Sequence, residues 1–390
     1  MKASYSLLLV AAAAVFLAST GFQCGSAEIT SAKLYMQQKQ WDKAEQSLMK
    51  ELAKNDKNEE AWFLLGQARL EQKNYSGMNE AYTRCLAIGK THEKEIAQNR
   101  LAIWANLYNE GVGMYNKGKD DSTQYDKALQ NFSTGIELEP DSSTTYYVAA
   151  LAHYAKKDMA GATRRLEEAL ARNPQFTDAA KFLGTIHYAQ ASEAYARGDS
   201  SAARAELLKA AEAFEVTYKA DPNNSENITN LIDVYDRTKQ SDKAMQLTTE
   251  AIKREPNNKI YRYASGVFLL KQDRFAESTE AFKKALEIDP AYTDATYNLG
   301  VAYLNWGVSM KEESDKKMEE AAAKGNKNFK EDLSYKDKYK EAIPYLEKAA
   351  IERGEDAVLW QQLGKIYMNL NMKDKAEQAF AKYDQITKGK

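Results

Sequence analysis

Five of the chain's six prolines stand at nearly regular intervals. Along the 390 residues the intervals are 34, 48, 34 and 34, between Pro140, Pro174, Pro222, Pro256 and Pro290. Proline ends a helix because it lacks a backbone N–H and turns the residue before it away from helical angles. The spacing therefore predicts one helical unit repeated along the chain. The low content of 6 prolines and 19 glycines agrees, because a β-rich fold needs more tight turns.

The residues around the prolines repeat as well. The run 281–290 reads as a helix that ends at its proline, and Tyr297-Asn298-Leu299-Gly300 opens the next one. The Leu-Gly pair recurs at 65–66, 183–184 and 363–364. This pattern resembles the tetratricopeptide repeat, a helix–turn–helix unit of 34 residues. The resemblance implies an all-α solenoid, a right-handed superhelix of antiparallel helix pairs in which each pair contacts its neighbours.

A 34-residue frame can be laid over the chain from residue 25 to its last residue. Repeats then start near residues 25, 59, 93, 143, 177, 225, 259, 293 and 357. Three intervals are too long, which predicts helical insertions in the repeats near 93–142, 177–224 and 293–356. We expect the first two insertions to lengthen both helices of their pairs by about two turns each. For the third, which is rich in charged residues, we expect a solvated helical extension or a partly disordered loop, with a docking arm as the functional alternative. The chain then has about nine repeats with three extended hairpins over residues 24–390. The frame leaves no segment for a catalytic domain.

The first residues read as a targeting segment. An unbroken apolar run of 12 residues spans 7–18, which is shorter than the ~20 residues that cross a membrane and suits a signal peptide. The segment from Leu17 to Cys24 resembles the end of a bacterial lipoprotein signal, although Gln23 stands where that pattern has a small residue. The resemblance implies a signal peptide over 1–23 and a lipidated Cys24. The alternative is ordinary cleavage after Ala27. In both cases we expect the protein to be exported. It would then be periplasmic or anchored to a membrane of the cell envelope, with the outer membrane as one candidate.

Composition excludes several functions. A formal charge of −2, with 28% charged residues of both signs, argues against binding to nucleic acid. Two cysteines and three histidines cannot supply a disulfide framework or a multi-histidine metal centre. His153 and His187 share a slot of the repeat that tyrosine usually fills, so we expect them to pack between helices. Because no phosphate-binding loop, nucleophile elbow or paired catalytic carboxylates appear, we predict no enzyme activity, no cofactor and no metal.

The resemblance also implies a binding surface. In such repeats, exposed residues of the first helices line a concave groove that holds a peptide or a partner helix. Carried over to this sequence, those slots are Tyr147, Tyr154, Lys181, Tyr188, Asn230, Asp233, Arg237, Tyr263, Lys271, Tyr297 and Asn305. Tyrosines offer large contact areas with polar tips, which suits binding. The alternative for each tyrosine is packing between neighbouring first helices.

One subset of the family grips a terminal carboxylate at set positions of the groove. Here Lys181 and Asn230 would suit that clamp. Thr185, Ile260 and Ala264 stand where asparagine, lysine and arginine would be needed, so the clamp is not predicted.

These features favour a non-enzymatic protein–protein interaction scaffold of the bacterial cell envelope that binds partner segments on its concave face. The expected partners are other envelope proteins or peptide segments, with the membrane reached through a lipid on Cys24. The alternative is a subunit that captures a peptide or a glycan for a transport or secretion machine.

Overall fold

The computed structural model describes residues 26–326 and 330–388, so the signal segment and Cys24 lie outside the described residues. All regular structure in the described residues is helical, in eighteen helices. The first helices of the pairs are α1 Ala27–Gln37, α3 Glu59–Glu71, α5 Glu93–Lys117, α7 Ser143–Ala155, α9 Thr177–Ala196, α11 Ser225–Arg237, α13 Lys259–Lys271, α15 Thr293–Ala323 and α17 Ala357–Asn369. The second helices are α2 Trp41–Lys54, α4 Tyr75–Ile88, α6 Thr123–Leu138, α8 Met159–Arg172, α10 Ser200–Ala220, α12 Ser241–Arg254, α14 Phe275–Ile288, α16 Tyr335–Glu352 and α18 Lys373–Lys388.

The fold class predicted from the sequence is confirmed, as an all-helical array of nine helix pairs. Each of the five regularly spaced prolines ends a second helix through its effect on the residue before it. That residue caps a second helix with φ between −123° and −137°, in the extended region that proline imposes, at Glu139, Asn173, Asp221, Glu255 and Asp289. The sixth proline, Pro344, lies inside α16.

Glycines let the two helices of a pair approach closely. In the pair α13 and α14, a Cβ built on Gly266 would lie only 2.6 Å from ring carbons of Phe282, which is fully buried. Gly66 of α3 faces the ring of Tyr82 on α4 in the same way. Each ring fills the space that the missing side chain leaves, which is why glycine on one helix goes with a large residue on the other.

Three helix pairs are longer than the rest. Most first helices have 13 residues and most second helices 14, whereas α5 and α6 have 25 and 16, α9 and α10 have 20 and 21, and α15 and α16 have 31 and 18. The expectation that each of the first two insertions adds about two turns to both helices fits α9 and α10 but not α5 and α6. The turn between α5 and α6 lies far along the inserted residues, where the Asp121 side chain accepts a hydrogen bond from the Thr123 backbone amide. As a result, α5 contains nearly all of the extra residues.

The chain divides into two compact units, the first ending at Ala179 and the second beginning at Ala180. In the first unit a core forms around Tyr82, Met78 and Leu65. In the second, one cluster extends from Phe282 through Leu346 to Ala379. Within residues 26–326 and 330–388, none of the helices is both long enough and apolar enough to span a bilayer.

Candidate functional site

Side chains predicted for the groove join α9 to α11 in the second unit. The Lys181 ammonium lies 2.7 Å from a carboxylate oxygen of Glu226. Seven residues further along α9, the Tyr188 hydroxyl donates to Asp233 Oδ2 at 2.8 Å. The pKa of Tyr188 is raised by burial and by this bond to a carboxylate. Two predicted residues of α9 therefore face α11 from the same side.

The same kind of contact continues to α13 and α15. Lys271 Nζ lies 2.6 and 2.7 Å from the two carboxylate oxygens of Asp236, which joins α13 to α11. Asn298 of α15 donates its amide to the Tyr263 hydroxyl at 2.8 Å. Predicted residues of α9, α11 and α13 are thus connected through polar bonds, and Asn298 extends the series to α15. We call these first-helix residues, together with Tyr297 beside Asn298, the first-helix surface, and its members are Lys181, Tyr188, Asp233, Arg237, Tyr263, Lys271 and Tyr297.

The tyrosines of this surface are half-buried. The Tyr263 ring lies 5.8 Å from that of Phe282 and 5.1 Å from that of Tyr292, and burial is the main reason why its pKa is raised. The Arg353 guanidinium lies 4.3 Å from the centre of the Tyr297 ring. Each ring therefore packs against protein on one side and keeps part of its surface exposed on the other.

Two predicted tyrosines belong to the first unit. Tyr147 is half-buried with its ring 5.2 Å from that of Phe176, and burial raises its pKa. Tyr154, on the same helix α7, is 44% exposed. Of the remaining predicted residues, Asn230 is half-buried on α11 and Asn305 is exposed on α15.

The sequence analysis missed several members of the surface. Glu226 and Asp236 are the carboxylate partners of its two lysines, and Arg353 covers Tyr297 from the end of α16. Tyr195 is also missing from the prediction, although it lies seven residues after Tyr188, which on a helix returns to the same face. Extending the frame through the insertion in α9 would have found it.

The two histidines that share a repeat slot each have a carboxylate neighbour. His187 is buried, with Nδ1 2.6 Å from Glu206 Oε2, and His153 Nδ1 lies 2.8 Å from Asp158 Oδ2. Burial alone would raise the pKa of Glu206, but bonds from Lys209 and His187 outweigh it and lower that pKa. No group of three or more His, Cys, Asp or Glu residues that could hold a metal occurs in the described part of the chain.

A cavity of about 350 Å³ lies among α10, α11 and α12, and none of the predicted residues lines it. The Tyr235 hydroxyl donates to Glu215 at 2.7 Å, and Lys243 stands 3.4 Å from the same carboxylate. Tyr218 donates to Glu250 at 3.3 Å. Leu231 and Leu247 supply the apolar part of the lining.

Three segments match models of tetratricopeptide repeats. They are residues 266–307, described as "TPR repeat", and residues 29–77 and 335–389, each described as "Tetratricopeptide repeat". A fourth model, "Plant specific mitochondrial import receptor subunit TOM20", matches residues 150–260.

One curated relative is the Photosystem I assembly protein Ycf3 of Cyanophora paradoxa. It is 28% identical over 135 residues, which is 34% of this chain and 75% of the relative. Among solved structures, YrrB, described as a TPR protein with an unusual peptide-binding site, is 19% identical with a TM-score of 0.39, covering 58% of this chain and 94% of that one. MamA is 20% identical with a TM-score of 0.37, covering 53% and 92%. A thermophilic TPR protein of Thermus thermophilus is 22% identical with a TM-score of 0.31, covering 51% and 98%.

The fold and the matched segments define a helical repeat protein, of a class that typically binds other proteins or peptides. More particularly, three of its segments match tetratricopeptide repeats, and one of them contains Pro290 and the repeat-like residues around it.

Proposed function

We propose that the protein is a non-enzymatic scaffold of the bacterial cell envelope that binds segments of other envelope proteins on its first-helix surface. One observation supports the proposal: polar bonds join predicted residues of α9 and α13 to α11, and join the predicted Tyr263 to Asn298 of α15. Tyrosine and arginine, which this surface combines, are enriched at protein interfaces.

Reversing two lysines of this surface is expected to weaken partner binding. The double variant Lys181→Glu and Lys271→Glu puts like charges beside Glu226 and Asp236 and changes the field that a partner meets. We expect at least about fivefold less partner captured, because reversing both charges changes the potential that orients and steers a partner on this surface. The measurement is photoactivated crosslinking in the native envelope followed by mass spectrometry, since photochemistry does not depend on the lysines that were changed.

A matched control lies in the hairpin of α15 and α16. Lys317→Glu with Lys340→Glu alters the net charge equally and also places glutamate beside carboxylates, those of Glu313 and Asp337. We expect this variant to keep its partners. Loss of partners from the hairpin variant with retention in the first-helix variant would move the docking site to the hairpin.

We also propose that residues 1–23 are a cleaved signal peptide and that lipid on Cys24 holds the protein at a membrane. The apolar run and the cysteine that follows it support this. Cys24→Ser is expected to move most of the protein from the membrane fraction to the soluble fraction, because an acyl anchor is lost. Cys85→Ala is the control, since Cys85 is buried in α4 and far from the signal in sequence. An intact mass for the wild type that begins at Glu28 would refute lipidation.

Capture of a peptide or glycan remains the second candidate, and the cavity beside Tyr235 is the observation that favours it. Its volume suits a small ligand, and it combines leucines with hydroxyl and carboxylate groups. Native mass spectrometry of protein isolated from its envelope distinguishes the two functions. A bound small molecule that Tyr235→Phe releases would support capture, and a stable protein partner supports the scaffold.

A further inference from the structure

The insertion in α9 places a second aromatic ring over an arginine of the first-helix surface. The guanidinium carbon of Arg237, at the end of α11, lies 5.2 Å from the ring centre of Tyr188 and 5.0 Å from that of Tyr195. Both tyrosines come from α9, two helical turns apart. Tyr195 lies in the part of α9 that extends beyond the usual length of a first helix. The guanidinium is therefore held between two rings, and its side chain keeps 28% of its surface exposed.

The carboxylates near Arg237 have other donors. Asp233 Oδ2 accepts the Tyr188 hydroxyl at 2.8 Å and lies 3.6 Å from Arg237 Nη1, which is too long for a hydrogen bond. Asp236 has both oxygens within 2.7 Å of Lys271 Nζ. Lys181 in turn is paired with Glu226. Among the three cations of this surface, Arg237 has the longest carboxylate contact, and its guanidinium also interacts with the Tyr188 hydroxyl while 28% of its side chain stays exposed.

A guanidinium held between rings is well suited to bind an anion. Its planar N–H fork matches two carboxylate oxygens, and stacking fixes its orientation before a ligand arrives. The neighbouring Asp233 disfavours a second negative charge. A carboxylate, with one charge, meets less repulsion there than a phosphate, which carries nearly two at neutral pH.

We infer that Arg237, seated between Tyr188 and Tyr195, is an anchor for a carboxylate of a partner protein segment. The inference rests on the proposed function, and it adds which chemistry the surface selects. It uses slots different from those of the carboxylate clamp considered in the sequence. It also gives the insertion in α9 a role, because without the added turns Tyr195 would not reach the guanidinium.

Peptide binding measured by fluorescence anisotropy tests the inference. The probes are fluorescein-labelled hexaglutamate and hexaglutamine, both amidated at the C-terminus, which match in length and side-chain shape but differ in side-chain charge. We expect the full-length protein to bind hexaglutamate more tightly than hexaglutamine. Arg237→Gln and Arg237→Lys should each weaken hexaglutamate binding by about tenfold, since both lose the bidentate fork and lysine keeps only the charge. Equal affinity of the wild type and Arg237→Lys would overturn the inference.

Three further measurements complete the test. Arg274→Gln is the matched control, because Arg274, the residue before α14, makes two short bonds to Glu277, and it should leave binding unchanged. Tyr195→Leu removes one ring without touching the arginine and should weaken binding several-fold, with far-UV circular dichroism confirming unchanged helicity. Acetate should compete with hexaglutamate at least as well as inorganic phosphate at equal ionic strength. Stronger competition by phosphate would overturn the assignment to a carboxylate.

The crosslinking experiment separates this inference from the proposed function. Partners that are lost from the Lys181 and Lys271 double variant but kept by Arg237→Gln would leave the scaffold function standing and reject the anchor. Loss from both variants supports both.

Discussion

Replacing Phe282 by alanine should lower the free energy of unfolding by about 3–5 kcal/mol, which is the usual loss for a fully buried phenylalanine. Phe282 has no exposed surface, fills the space opposite Gly266 and lies 5.8 Å from the Tyr263 ring. Its removal would leave a cavity between α13 and α14 that helix backbones cannot close without breaking other contacts. Urea unfolding followed by far-UV circular dichroism measures the loss.

The repeat architecture predicts where that loss is felt. Each pair contacts only its neighbours, so hydrogen exchange should accelerate in α13, α14 and α15 and stay unchanged in α1 to α4. Leu208→Ala is the control, since Leu208 is 40% exposed on α10 and its truncation should change stability by less than about 0.5 kcal/mol. Uniform acceleration along the chain would contradict neighbour-only coupling.

Most of the fold follows from local rules that the sequence displays. Proline sets the end of a second helix through the extended residue before it, as at Glu139 and Asp289. Glycine on a first helix requires a large residue on the second, as Gly266 and Phe282 show. Both rules act within one repeat, so a single repeat gives enough sequence to find them. The helix starts at residues 59, 93, 143, 177, 225, 259, 293 and 357 coincide with the frame laid over the sequence.

The insertions follow no repeated rule, and there the sequence is less informative. Helical residues continue through 94–117 without a strong stop, so the position of the turn depends on Asp121 and Thr123 rather than on the frame. The candidate site shows the same limit. Slots of the repeat located Tyr188 and Arg237, but their pairing with Tyr195 depends on how far α9 continues. The identity of a partner depends on a surface that many sequences could complement, so no local rule encodes it.

The second large effect that we expect is a loss of stability at alkaline pH, caused by the ionisation of Tyr82. Its side chain is fully buried in α4 opposite Gly66, and its hydroxyl accepts a bond from the Asn99 amide at 2.9 Å. Burial raises the pKa of Tyr82 to about 12, because the phenolate would lose its hydration. In the unfolded chain a tyrosine has a pKa of about 10.

The sign of the effect follows from proton counting. Between pH 10 and pH 12 the folded protein keeps the Tyr82 proton while the unfolded chain has lost it, so stability falls as pH rises. A difference of about two pKa units corresponds to about 2–3 kcal/mol in the free energy of unfolding. This stabilisation is fully present below pH 10 and is lost as the pH rises towards 12. Tyr82→Phe cannot ionise at this position and should escape that loss.

The measurement is therefore a difference between two proteins. Urea unfolding of the wild type and of Tyr82→Phe at several values from pH 9 to pH 12 cancels the contribution of the other 23 tyrosines. Relative to Tyr82→Phe, the wild type should lose about 2–3 kcal/mol across this range. Asn99→Ala supplies a test of direction, because the bond from Asn99 lowers the pKa of Tyr82 and its loss should move the transition to higher pH. A difference that stays constant from pH 9 to pH 12 would show that Tyr82 ionises without opening the fold, and that burial does not hold its proton.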